Sequence, residues 1–248
     1  MIEFTRIVCG LAAAFTLSAA SVAQDEYGGT RYPELIEVPV GDEGVTHFVV
    51  GQYGWGEMLA EMGNLRAESA DRDREIATQL YEARDTIPAG MLFEAARRYA
   101  SFDEEQAVYV FFLARARTFY DALRCVDSTA MNAIEIITDM SGQEVAALLN
   151  ITTDGNTVAR TERMQRALER VLSSGEIATG QFSPWWICSG SDSAYFAAVN
   201  GAEMPEGEWL KNRSLWPGIE EQVRRNIREN QALLAITLGT RELGSQPQ

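Results

Sequence analysis

The stretch Ser101 to Cys125, SFDEEQAVYVFFLARARTFYDALRC, constrains the fold more than any other part of the chain. Ser101-Phe102-Asp103-Glu104 reads as a capping box, in which a hydroxyl and a carboxylate satisfy backbone N–H groups that a helix start leaves unpaired. It predicts a long helix to about Arg124. That helix opens on Asp103, Glu104 and Glu105 and closes on arginines. This is the charge order the helix dipole favours, worth about 0.3–1 kcal/mol per well-placed charge. The densest apolar run, Ala107 to Ala114, is far shorter than the roughly 20 apolar residues a membrane span needs. It suits a helix buried inside a protein.

Arg115, Arg117 and Arg124 raise the question of whether this helix also binds something. Arg117, Asp121 and Arg124 fall on one helical face, three to four residues apart. Local pairing of Arg117 with Asp121 and of Asp121 with Arg124 explains most of the pattern without a ligand. Arg115 points elsewhere, beside Phe112 and Phe119, and an arginine buried there requires a partner. The functional reading is that these side chains project into a groove and hold a carboxylate or an acidic loop of a protein partner.

The rest of the chain is patterned mainly for helices. Trp55–Leu65 reads as a short helix interrupted near Gly63-Asn64, followed by a segment with Ile76 and Leu80 on one side. Pro88 opens another helix, where its missing N–H is harmless. Asp127 or Ser128 caps a helix through Ile137, and Ser141-Gly142-Gln143-Glu144 is a second capping box. Thr153 to Asn156 reads as a turn. The amphipathic stretch Thr157–Leu172 has Val158, Met164, Ala167 and Val171 as inward positions, and Ser173-Ser174-Gly175 stops it. Residues 176–215 mix glycine, serine, proline and aromatics, which predicts loops around a short helix at Ser193–Val199. Pro217 begins a final helix with Ile219, Val223, Ile227, Leu234 and Leu238 as its apolar stripe. Near the N-terminus, ELIEVPV and VTHFVV flank GDEG, a hairpin signal with an extended arm as its rival. Pro39 confines the first strand to an edge. The expected organisation is a signal peptide over 1–23, an N-terminal arm or β-hairpin over 24–54, a single helical domain over 55–240 and a flexible tail over 241–248. The expected fold class is mainly α.

Residues 1–23 have the charge, short apolar run and small residues of a secretory signal. Export would leave Cys125 and Cys188 in an oxidising compartment, where an even cysteine count favours a disulfide. The expected location is the periplasm or outside the cell. The chain carries 21 basic and 36 acidic residues, a net charge of −15. A nucleic-acid partner needs a basic face, so this balance argues against one. Basic or neutral protein partners fit better.

Catalytic signatures are scarce. His47 is the lone histidine and lies on a β-like run without a visible partner. The sequence has no G-x-S-x-G elbow, no H-E-x-x-H and no Walker A motif around Lys211, its one lysine. No metal site and no cofactor are implied. Asp192 and Glu203, near Trp185, Trp186 and Tyr195, are where a sugar-cleaving carboxylate pair would be sought.

Met91 to Phe119 resembles one tetratricopeptide or Sel1-like helical hairpin, with Ala95, Ala107, Phe111 and Ala114 near the positions where that pattern wants close helix packing. Ala95 stands where the pattern has glycine, the closing proline is absent, and no second copy follows at the expected spacing. The longer stretch FEAARRYASFDEEQAVYVFFLARARTFYDALRC resembles a segment of uncharacterised secreted bacterial proteins. The resemblance implies a periplasmic helical protein and carries no activity.

These observations point to a non-enzymatic envelope protein that binds another protein, in one concrete form an immunity or inhibitor protein. The alternatives are a carboxylate-dependent cell-wall hydrolase and a helical-repeat scaffold. Candidate contact residues are Arg115, Arg117, Asp121 and Arg124 on the long helix, with Trp185, Trp186 and Tyr195 in the loop-rich segment, where packing around the disulfide is the alternative role for the three aromatics.

Overall fold

The computed structural model describes residues 29–40, 44–50, 54–149, 157–178 and 182–244, with the backbone alone described over 36–40, 44–50, 157 and 233–244. The signal peptide expected over 1–23 and the turn expected at Thr153 to Asn156 lie outside the described residues. The chain runs β1 (Glu34–Val40), β2 (Gly44–Val50), α1 (Trp55–Ala67), α2 (Asp73–Glu82), α3 (Met91–Tyr99), α4 (Glu104–Arg124), α5 (Asn132–Asp139), α6 (Gly142–Leu149), α7 (Thr157–Ser174), α8 (Trp185–Cys188), α9 (Asp192–Val199), α10 (Glu206–Trp209) and α11 (Trp216–Gly244). The fold is mainly α, with one small antiparallel hairpin in which Glu34 faces Val50 and Val40 faces Gly44. Pro39 faces Val45 in a sheet of two strands, where each strand is an edge.

The long helix is the centre of the architecture. α3, α5, α6, α7, α8 and α11 all pack on α4. Ala95, Ala107 and Ala114 are buried, and Phe93 meets Phe111 edge to face with ring centroids 5.7 Å apart. Small residues let the α3 and α4 backbones approach while the two rings fill the space between them. One apolar cluster extends from Trp55 through α4 to Ile227.

Several boundaries differ from the sequence expectation, each for a local reason. Asp103, not Ser101, caps α4: its carboxylate accepts from the Gln106 N–H at 3.0 Å. The Ser101 hydroxyl is engaged elsewhere, donating to Asp73 and to the Arg98 carbonyl. Ser141 likewise donates back to the Thr138 carbonyl at 2.7 Å. α1 continues through Gly63-Asn64, because buried Met62 and Leu65 anchor the helix on either side of the glycine. That packing outweighs the ~1 kcal/mol cost of glycine in a helix. On α7, Ala167 and Val171 are buried and Met164 half-buried as expected, with Thr161 and Leu168 joining the inward stripe, while Val158 near the helix start is exposed. α11 extends to Gly244, past the point where a flexible tail was expected.

Residues 29–33 are held rather than loose. Arg31 exchanges two backbone hydrogen bonds of 2.8 Å with Met204, and its guanidinium lies over Trp185 and Trp209. The expected disulfide is present: Cys125, just past α4, bonds Cys188 at the end of α8, with an S–S length of 2.05 Å. The link spans 63 residues of sequence, which in the chain-entropy description stabilises the folded state by about 4 kcal/mol. Among the described residues no helix is long and apolar enough to cross a membrane.

Candidate functional site

The three arginines of α4 have three different environments. Arg117 is buried, and each of its guanidinium nitrogens donates: Nε to the Glu176 carbonyl at 2.6 Å, Nη1 to the Arg84 carbonyl at 2.6 Å and Nη2 to the Asp85 carboxylate at 2.7 Å. The expected pairing of Arg117 with Asp121 is thus replaced by a clamp between α4, the turn after α2 and the segment after α7. Tyr109 joins the same clamp by donating to Glu176 at 2.6 Å, and Arg84 pairs with the same carboxylate at 2.7 Å. Burial, then the bond to Glu176, push the Tyr109 phenol above its ordinary range.

Arg124 is also buried, and the expected pair with Asp121 forms. Its guanidinium lies 4.7 Å from the ring centroids of both Tyr120 and Trp216. The other Asp121 oxygen accepts from the indole N–H of Trp186 at 2.8 Å. Trp186 stacks near Trp55, and Trp185 meets Trp209 edge to face at 5.2 Å. Both tryptophans are fully buried. Arg117, Asp121, Arg124, Trp185 and Trp186 therefore hold the interior together and offer no surface to a partner, which corrects their reading as contact residues. Of the residues named for a sugar-cleaving pair, Asp192, Glu203 and Tyr195 are exposed, while Trp185 and Trp186 are inside.

Arg115 is the exception. It is exposed, and among the described residues its guanidinium makes no ion pair or hydrogen bond. The sequence placed it correctly beside Phe112 and Phe119, but it does not sit buried with a partner. It stands on a groove of about 490 Å³ between four helices. α4 contributes Phe112, Arg115, Ala116 and Phe119. The turn before α5 and α5 itself add Met131, Ile134 and Glu135, α7 adds Met164 and Leu168, and α11 adds Val223, Asn226, Ile227 and Asn230. Ala116, Ile134, Leu168, Val223 and Ile227 are buried, and Phe112, Phe119, Met131 and Met164 are half-exposed around them. An apolar concavity of this size with a few polar groups on it is the usual form of a binding site.

Tyr195 stays exposed on α9, together with Phe196 and Val199, and its ring lies edge-on to Phe196 at 5.9 Å. These positions share one face of the helix with Asp192. His47 lies on β2 opposite Glu37. Among the described residues no three metal-ligating side chains converge.

Sequence reading identified Phe112, Arg115 and Phe119 but missed the other walls. The α11 stripe Val223 and Ile227 was visible as an inward face, yet no local signal says that Asn226 and Asn230 look across at α4. No family model, curated protein or solved structure matches the chain. The chemistry of the groove is therefore read from its own residues.

Proposed function

We propose that the protein is a non-enzymatic binding protein of the bacterial cell envelope that acts on another protein, in its most concrete form as an inhibitor or immunity protein. The observation that carries this reading is an apolar groove with an arginine on it that nothing in the described fold neutralises. Apolar anchors buried in such a groove supply affinity, and one charge placed beside them supplies register. Among the described residues Glu135 is the one carboxylate lining the groove, whereas glycoside hydrolysis generally uses a pair flanking the bond to be broken. That difference favours binding over the hydrolase alternative. The disulfide and the absence of a membrane-crossing helix among the described residues are compatible with an oxidising compartment outside the cytoplasm.

The test is capture of partners from envelope extract by the tagged chain lacking residues 1–23, at low and high salt. One protein should be retained by the native sequence and lost by Arg115→Glu, while thermal unfolding of the variant is unchanged. Equal retention by both, or no specific retention by either, would contradict the proposal.

A further inference from the structure

The polar groups of the groove discriminate among occupants. Its apolar walls, with two phenylalanines and the adaptable thioethers of Met131 and Met164, would accept any hydrocarbon. An occupant that covers Arg115 must offer it an acceptor, and one that covers Glu135 must offer it a donor. Both are exposed, and neither makes an ion pair or hydrogen bond among the described residues. On the α11 wall, Asn230 donates its side-chain N–H to the Asn226 backbone carbonyl at 2.8 Å, which leaves its own carbonyl oxygen as an acceptor. The Asn226 side-chain amide is uncommitted among the described residues and offers both donor and acceptor.

From this arrangement we infer that the groove receives a polypeptide segment of the partner, apolar on the side it buries, with an acidic residue at Arg115 and a basic residue at Glu135. The inference rests on the groove being the partner site. A long-chain carboxylate would satisfy Arg115 alone. Wherever its chain covered Glu135 or the Asn226 amide, it would take water from them and return no hydrogen bond. A polypeptide carries both charges and backbone groups that an asparagine can pair with. A second copy of the chain is disfavoured because each copy bears a net charge of −15.

Charge exchange on the two exposed residues tests this without disturbing the core. Four short labelled peptides would share one spacing of leucine and phenylalanine and carry glutamate with lysine, glutamate only, lysine only, or no charge. The native chain should bind the mixed peptide at least about tenfold more tightly than the others, a difference that one matched charge pair can supply. Arg115→Glu should shift the preference to the lysine peptide, Glu135→Arg to the glutamate peptide, and the double exchange should restore the mixed one. A ranking that ignores these exchanges, saturable binding of palmitate in place of peptide, or self-association blocked by Arg115→Glu would overturn the inference. If the envelope partner is still captured through Arg115 while the peptide ranking does not respond, the inference alone fails. If neither partner nor any peptide binds, the groove reading fails with it.

Discussion

Arg117 binds three acceptors from inside the protein, and Arg124 faces a buried carboxylate between two aromatic rings. Removing one member of a buried pair leaves the other desolvated, which typically costs about 3–5 kcal/mol. Arg124→Ala should lower unfolding free energy by that order in urea titrations, whereas Arg117→Ala, whose partner Asp85 is half-exposed, should cost less, about 1–3 kcal/mol from the Glu176 and Arg84 carbonyls left unpaired. Arg115→Ala, at an exposed and unpaired position, should change it by no more than about 0.5 kcal/mol. Asp127 gives a pH-dependent counterpart. Burial raises its carboxyl, but bonds from Thr129 and Ser193 outweigh that and hold it below the usual range. A carboxyl depressed in the folded state stabilises above its unfolded value of about 3.9, and that contribution is lost as pH falls through the folded value. Stability measured by urea from about pH 5 downward should therefore fall less steeply in Asp127→Asn than in the native chain. At this scale the sequence shows which residues are charged and share a helical face. It does not show that the Asp85 carboxylate and two carbonyls lie nearer to Arg117 than Asp121 does, because those contacts depend on how distant segments meet.

Helices were legible where periodicity was strong, and their ends were not. α4 was readable from its charge order and apolar run, yet its cap is Asp103, since Asp103 and Gln106 fit a capping pattern as well as Ser101 and Glu104 do. The glycine at 63 was read as a break because local propensity cannot register Met62 and Leu65 packing around it. Gly90, at the start of α3, has the opposite character. A Cβ there would lie 2.3 Å from Ile137 Cδ1 and 3.0 Å from the Trp186 ring. α1, α3, α5 and α8 meet around that missing side chain. Gly90→Ala should lower the urea midpoint, at a cost of about 1–3 kcal/mol from overpacking, whereas Gly63→Ala meets open space and should not lower it.

For the whole molecule, apolar periodicity with helix caps anticipated a mainly helical fold, and the cysteine count anticipated the Cys125–Cys188 bridge that closes it. They could not anticipate the groove, whose walls come from α4, the α5 region, α7 and α11, brought together only by tertiary packing. The aromatic run left Trp185 and Trp186 either as surface anchors or as packing around the disulfide. The fold uses both for its interior and leaves Tyr195, Phe196 and Val199 outside. The central claim is that α4 stabilises the fold through Arg117 and Arg124 and meets the partner through Arg115. Hydrogen exchange of backbone amides, compared with and without the captured envelope protein, tests it most directly. The account predicts added protection over the segments around residues 112–119, 131–135, 164–168 and 223–230. Protection confined to other segments, such as α9 or the hairpin, with these four unchanged, would contradict it.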